Sequence, residues 1–243
     1  EFRRVLFRSF REISKKILTP NAILCISAHW YTKGTYVTSG EMQKTIHDFY
    51  GFPQELFEVE YPAKGNPELA KETAELLAPT SVIETDSWGL DHGAWSVIKH
   101  LYPAANIPVI QMSIDYTQPA QYHFDLAKKL QKLREKGILI IGSGNVVHNL
   151  RMIDWKNINT VGAGWDWAIE ARAKTNEWIL DGNFQNLIHF EKQGTALQNA
   201  IPTPDHYLPL IYTLGLKEKN DNISLFNDEL IGGSLSMTSV FVG

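Results

Sequence analysis

The chain has 243 residues, 44% of them hydrophobic, with a formal net charge of −4 and an isoelectric point near 6.1. That length suits one full core of ordinary α/β size, and nothing in the charge balance suggests a nucleic-acid or anionic-membrane partner, which would need a basic patch. No run of 18 apolar residues offers a membrane span, and the single cysteine, Cys25, excludes an internal disulfide and fits a reducing, cytoplasmic setting.

The first nine residues, EFRRVLFRS, read unlike the rest. They carry three arginines, an apolar stretch too short for a signal peptide and no small-residue cleavage site. The expectation is foreign sequence over 1–9 and a single domain over 10–243; the alternative is a natural basic helix running into FREISKKIL. Beyond that helix, AILCIS reads as a buried strand holding Cys25 as a small core residue, and TYVTSG is β-branched and strand-like. NPELAKETAELLA opens with Asn66 as N-cap and Pro67 at the first helical position. SVIET is a short strand, GAWSVIKHLYP a helix closed by Pro103, and IPVIQMSI a buried strand. QPAQYHFDLAKKLQKLREKG is the clearest helix, with Leu126, Leu130 and Leu133 on one face and Gly137 as its stop. ILIIGSGN is an apolar strand ending in a glycine turn, WDWAIEARAKTNEWILDG is helix, and SVFVG is a last strand. Strands alternating with helices predict an α/β fold, a three-layer αβα sandwich around a mixed, largely parallel sheet.

In such sheets ligands bind beyond the carboxyl ends of the strands. Four histidines stand at such points or in turns: His29 after AILCIS, His92 in GLDHGAW, His148 in GSGNVVHNL and His206 in IPTPDHYLPL. His47, His100, His123 and His189 lie in ordinary helix or loop patterns and read as surface or packing residues. Each of the four has a plainer reading: a hydrogen-bonded core imidazole, or, for Asp91-His92, a helix cap. Gly142 and Gly144 form a tight turn, since GSGNVV lacks the third glycine of a dinucleotide fingerprint. Taken jointly, several strand-end imidazoles in one small domain point to a metal. There is no CxxC pair and no HExxH helix, so a thiolate-rich structural zinc site and a zincin are excluded. An imidazole set suits Fe(II) or Zn(II) with positions open for substrate, and a histidine outside the ligand set suits acid–base work near neutral pH. Spacing does not choose between a hydrolase and an oxygenase.

SAHW, GLDHGAW, GSGNVVHNLR and PTPDHYLPL, in this order, resemble the DODA-type class III extradiol ring-cleavage dioxygenases, from about residue 10 to the C-terminus. The closing GGSLSMTSVFVG is also similar to the family's final strand. The resemblance implies the αβα fold and one mononuclear metal, Fe(II) for activity, with Zn(II) as an alternative occupant. It implies a small catechol, L-DOPA or a relative, opened by O2 to a semialdehyde. His29 and His206 resemble metal ligands. His148 resembles the histidine beside the metal that acts as acid–base and is also counted as a ligand. His92 resembles a histidine that orients substrate or oxygen, and Trp30 stands either as a wall of that site or as core. The family's pattern begins with a strand and a G-H-G-S-P loop whose histidine is also a ligand, and no histidine precedes His29 here. The expectation is therefore a chain impaired and destabilised by the absence of one ligand and one strand. Two further readings remain open: a non-catalytic binding protein of the same superfamily, and a zinc-dependent hydrolase.

Overall fold

The computed structural model describes residues 2–243, with side chains from Arg8 onward, so of the segment expected to be foreign, residue 1 and the side chains of 2–7 lie outside the described residues. In chain order the elements are α1 (Phe2–Ser14), β1 (Ala22–Thr32), β2 (Thr35–Thr38), α2 (Gln54–Phe57), α3 (Pro67–Leu76), β3 (Val82–Thr85), α4 (His92–Leu101), β4 (Val109–Asp115), α5 (Ala120–Arg134) and β5 (Ile138–Ser143). They continue with α6 (Asp166–Leu180), α7 (Phe184–Ile188), α8 (Thr195–Ala200), α9 (Leu208–Gly215), β6 (Ile223–Phe226), β7 (Leu230–Ile231), β8 (Leu235–Ser236) and β9 (Ser239–Val242). None of the described helices is long and apolar enough to cross a membrane. Packing groups the chain into two compact units: a sheet unit of residues 10–118 and 129–143, and a second unit of 119–128 and 144–243 together with the stretch up to Ser9.

The sheet unit holds five strands in the order β3-β2-β4-β1-β5. β1 pairs parallel with both β4 and β5, β2 pairs parallel with β3, and β2 meets β4 antiparallel. This is the mixed, largely parallel sheet that the alternating pattern predicts. β4 is buried along its whole length and β1 through Ala28, as expected of central strands covered on both faces. One cluster forms where α4 lies on β1 and β5: Trp95 and Ile98 pack with Ile23, Cys25, Leu139 and Ile141. Cys25 has no exposed surface, and burial pushes its thiol pKa well up, as befits a core residue. Asn66 caps α3 by accepting the Leu69 N–H at 2.9 Å, with Pro67 following it.

One expectation changes in detail. β1 does not end at Ser27 but runs on to Thr32, so His29 lies inside the strand. Its pairing with β5 stops at Ser27, and its register against β4 shifts between Ile26 and Tyr31. Such a bulge re-aims side chains where pairing loosens. ILIIGS, in turn, is an edge strand whose isoleucines and leucine are only half-buried.

The second unit is mainly helical, with two small antiparallel pairs, β6 with β9 and β7 with β8. The last strand, SVFVG, belongs to the first of these pairs and not to the central sheet. In α5, Leu126, Leu130 and Leu133 are buried as the spacing predicts.

Candidate active site

In the sheet unit the site grows from the carboxyl end of β1. Asp91 has no exposed surface and caps α4, accepting the Ala94 N–H at 3.0 Å. It also accepts the Ser27 hydroxyl at 2.7 Å and a close hydrogen bond from the Gln111 amide. Burial pushes the Asp91 pKa up, against the pull of those three donors. The cap sets His92 as the first residue of α4. Gly93 follows because nothing larger fits: a Cβ there would lie 2.6 Å from Ser27 Oγ and 2.8 Å from His29 Cδ2. The His29 and His92 rings consequently sit with centroids 3.9 Å apart.

The Asp48 carboxylate reaches both imidazoles. Its Oδ2 faces His29 Nδ1 at 3.2 Å, and its Oδ1 accepts the His92 backbone N–H at 2.8 Å. His92 Nδ1 is 3.0 Å from Oδ1 but off the line of a good hydrogen bond. Burial works to raise the Asp48 pKa, yet its interactions with His29 and His92 win and hold the carboxyl well below the usual carboxylate range. His29, Asp48 and His92 form a group whose ligand atoms all lie within 4.8 Å of one another, close enough to hold a metal ion. Trp30 is buried and stacks on Trp88 at 5.7 Å between ring centroids, so of its two readings the core one fits.

The second unit brings His148 and His206 together. Their rings stack nearly parallel, 5° apart in plane and 3.6 Å between centroids. Backbone close approach builds the pair. Asn145 N–H donates to the His206 carbonyl at 2.8 Å, and a Cβ on Gly144 would strike that oxygen at 2.2 Å. His148 is pinned by its own N–H to the Ala200 carbonyl at 2.9 Å and bridges Leu235. GSGNVVHN is thus a turn built to pass His206, not a phosphate cradle. Asp205 Oδ2 lies 2.5 Å from His206 Nδ1. Burial works to raise the Asp205 pKa, but hydrogen bonds from His206 and Thr203 bring it down to about 2.

The remaining histidines behave as packing residues where their contacts are described. His47 Nε2 bonds the Val59 carbonyl at 2.9 Å, and His123, wholly buried, bonds the Tyr212 hydroxyl at 2.9 Å.

Residues 1–237 match the family described as the catalytic LigB subunit of aromatic ring-opening dioxygenase. The chain belongs to that family. A protein of Escherichia coli K12 named 4,5-DOPA dioxygenase extradiol is 43% identical over 97% of this chain and 87% of its own length. A protein of the same name from Beta vulgaris is 35% identical over 95% and 85%. The crystal structure of an uncharacterized Escherichia coli K12 protein superposes with a TM-score of 0.81 at 37% identity, covering 96% of this chain and 91% of that one. The protein is therefore an extradiol ring-cleavage dioxygenase with an α/β fold.

The residues present fit a metal. Three of the four imidazoles have a carboxylate oxygen near Nδ1: His29 and His92 in the sheet unit, both from Asp48, and His206 in the second unit, from Asp205, the arrangement that orients metal-binding histidines elsewhere. The donor set of imidazole and carboxylate suits Fe(II) or Zn(II). Asp48 and Asp205 are the site residues that sequence reasoning did not single out. Asp205 had a local signal, since it adjoins His206; Asp48, 19 positions beyond His29 in IHDFYGF, had none.

Proposed function

We propose that this dioxygenase opens a small catechol, L-DOPA or a close relative, with O2 to give a semialdehyde. The metal is Fe(II) for activity, with Zn(II) able to occupy the same ligands, and His29 and His206 are ligands. His148 was expected in two roles, as ligand and as acid–base; the second is proposed here. The observation that carries the reading is the His29, Asp48 and His92 group of the sheet unit, whose ligand atoms lie within 4.8 Å of one another, in a chain that matches this family over residues 1–237. The names of the E. coli and beet relatives support DOPA as the substrate class.

When bound, the metal supplies a Lewis acid that draws a catechol hydroxyl toward ionisation at neutral pH. The chain's own residues do the rest. His148 takes the hydroxyl proton and later returns one to the opened product. His92, beside His29, orients the substrate or oxygen. Asp48 and Asp205 keep His29 and His206 in fixed orientation.

The test is oxygen uptake with L-DOPA and simpler catechols after anaerobic Fe(II) loading, followed by the absorbance of a yellow semialdehyde. Uptake coupled to that product upholds the proposal. Bound iron with no uptake on any catechol sinks the catechol assignment.

A further inference from the structure

We propose that Asp48 is a positioning residue that sets the tautomer of His29, keeping the ring proton on Nδ1 so that Nε2 carries the lone pair a metal ion needs. The proposal rests on the metal reading above and adds to it a residue that the motifs do not contain.

The geometry leaves Asp48 little freedom. Oδ1 is committed to the His92 backbone N–H at 2.8 Å, a group that can only donate. Oδ2 is thereby turned to His29 Nδ1, 3.2 Å away. An ionised carboxylate has no hydrogen to give, so the nitrogen facing it must carry one. A neutral imidazole has a single N–H, and the other nitrogen, Nε2, then holds the lone pair. The neighbouring carboxylate is not a substitute, because Asp91 is engaged by Ser27, Gln111 and the Ala94 N–H. The same aspartate therefore ties the first turn of α4 to the imidazole on β1.

A near-isosteric change gives an asymmetric consequence. In Asp48→Asn the amide oxygen must stay on the His92 N–H, since the amide NH2 cannot accept. The NH2 then faces His29 Nδ1, which must accept, and the ring proton moves to Nε2. Asparagine would thus invert His29 while leaving the helix start tied.

Nitrogen-15 spectra of histidine-labelled, metal-free protein, recorded well above the ordinary imidazole range, read the tautomer directly, with His29 assigned by its loss in His29→Gln. Wild type is expected to show Nδ1–H and Asp48→Asn to show Nε2–H. Zinc titration against a competing chelator is expected to give roughly 10- to 100-fold weaker binding in Asp48→Asn, with coordination through Nε2 in the zinc-loaded wild type. Nε2–H in wild type, no switch in the variant, or zinc coordination through Nδ1 with Asp48 as co-ligand would each overturn the proposal. The wild-type spectrum decides even if the variant fails to fold. A wild type that takes up neither zinc nor iron sinks the metal reading alone, and Nδ1–H in the same sample would still uphold the role of Asp48.

Discussion

His148 and His206 show how much two identical side chains can differ in use. His206 has an aspartate oxygen 2.5 Å from Nδ1, and the His148 ring lies stacked on it. With His148 as the acid–base, His148→Gln is expected to retain iron and to lower kcat by about 10²–10⁴, the range of a lost acid–base group. His206→Ala is expected to lose iron. Metal analysis beside the oxygen-uptake rate separates the two; iron loss in His148→Gln would return that residue to the ligand set. At this scale the sequence was informative about imidazoles and silent about their partners. His29, His92, His148 and His206 stood out because an imidazole at a strand end or turn is unusual. Asp48 did not, because a carboxylate in a polar loop looks like any solvated one, and its value arises from a contact between distant segments.

At the scale of elements, the start of α4 and the bulge of β1 work as one joint. Asp91 caps the helix and holds Ser27, while Gly93 leaves room for the His29 ring. Gly93→Ala pushes a methyl into atoms under 3 Å away, and the expected cost is about 1–3 kcal/mol, read as a lower urea midpoint with an unchanged slope. A neutral result would mean that β1 yields easily at its bulge. The strands and main helices of the sheet unit were legible because the apolar runs of β1 and β4 and the spaced apolar positions of the helices are strong local signals. The extension of β1 to Thr32 was not, since AHWYT breaks the apolar run at His29. Nor was the edge position of β5, because an apolar tetrad reads the same at a centre as at an edge. Its half-buried outer row is an open template for further pairing. Ile140→Lys is expected to lower light scattering on heating relative to wild type, whereas equal scattering would show that aggregation starts elsewhere.

For the whole molecule, the two depressed carboxyls predict how it meets acid. Asp205 is held at about 2 against an ordinary value of 3.8, and Asp48 is depressed too. A carboxyl with a lowered folded pKa contributes stability in full above its unfolded value and loses it as pH falls through the folded one. The loss is therefore expected to begin near pH 4 and to continue to about pH 2, with neutral and mildly acidic samples alike. Thermal midpoints across that range check it, and Asp205→Asn is expected to fall less steeply; parallel curves for the two proteins would contradict the assignment.

Cys25, sealed in the middle of β1 with no exposed surface, turns the protein into its own reporter. A thiol reagent can reach that sulfur only when the sheet opens, so the labelling rate in excess reagent measures how often β1 becomes accessible. Because the chain has a single cysteine, the signal needs no deconvolution. A ligand that binds only the closed form must slow the labelling in proportion to its occupancy. Colour release from an ordinary disulfide dye could thus rank iron, zinc and catechols by how firmly each keeps the central strand shut, without any turnover.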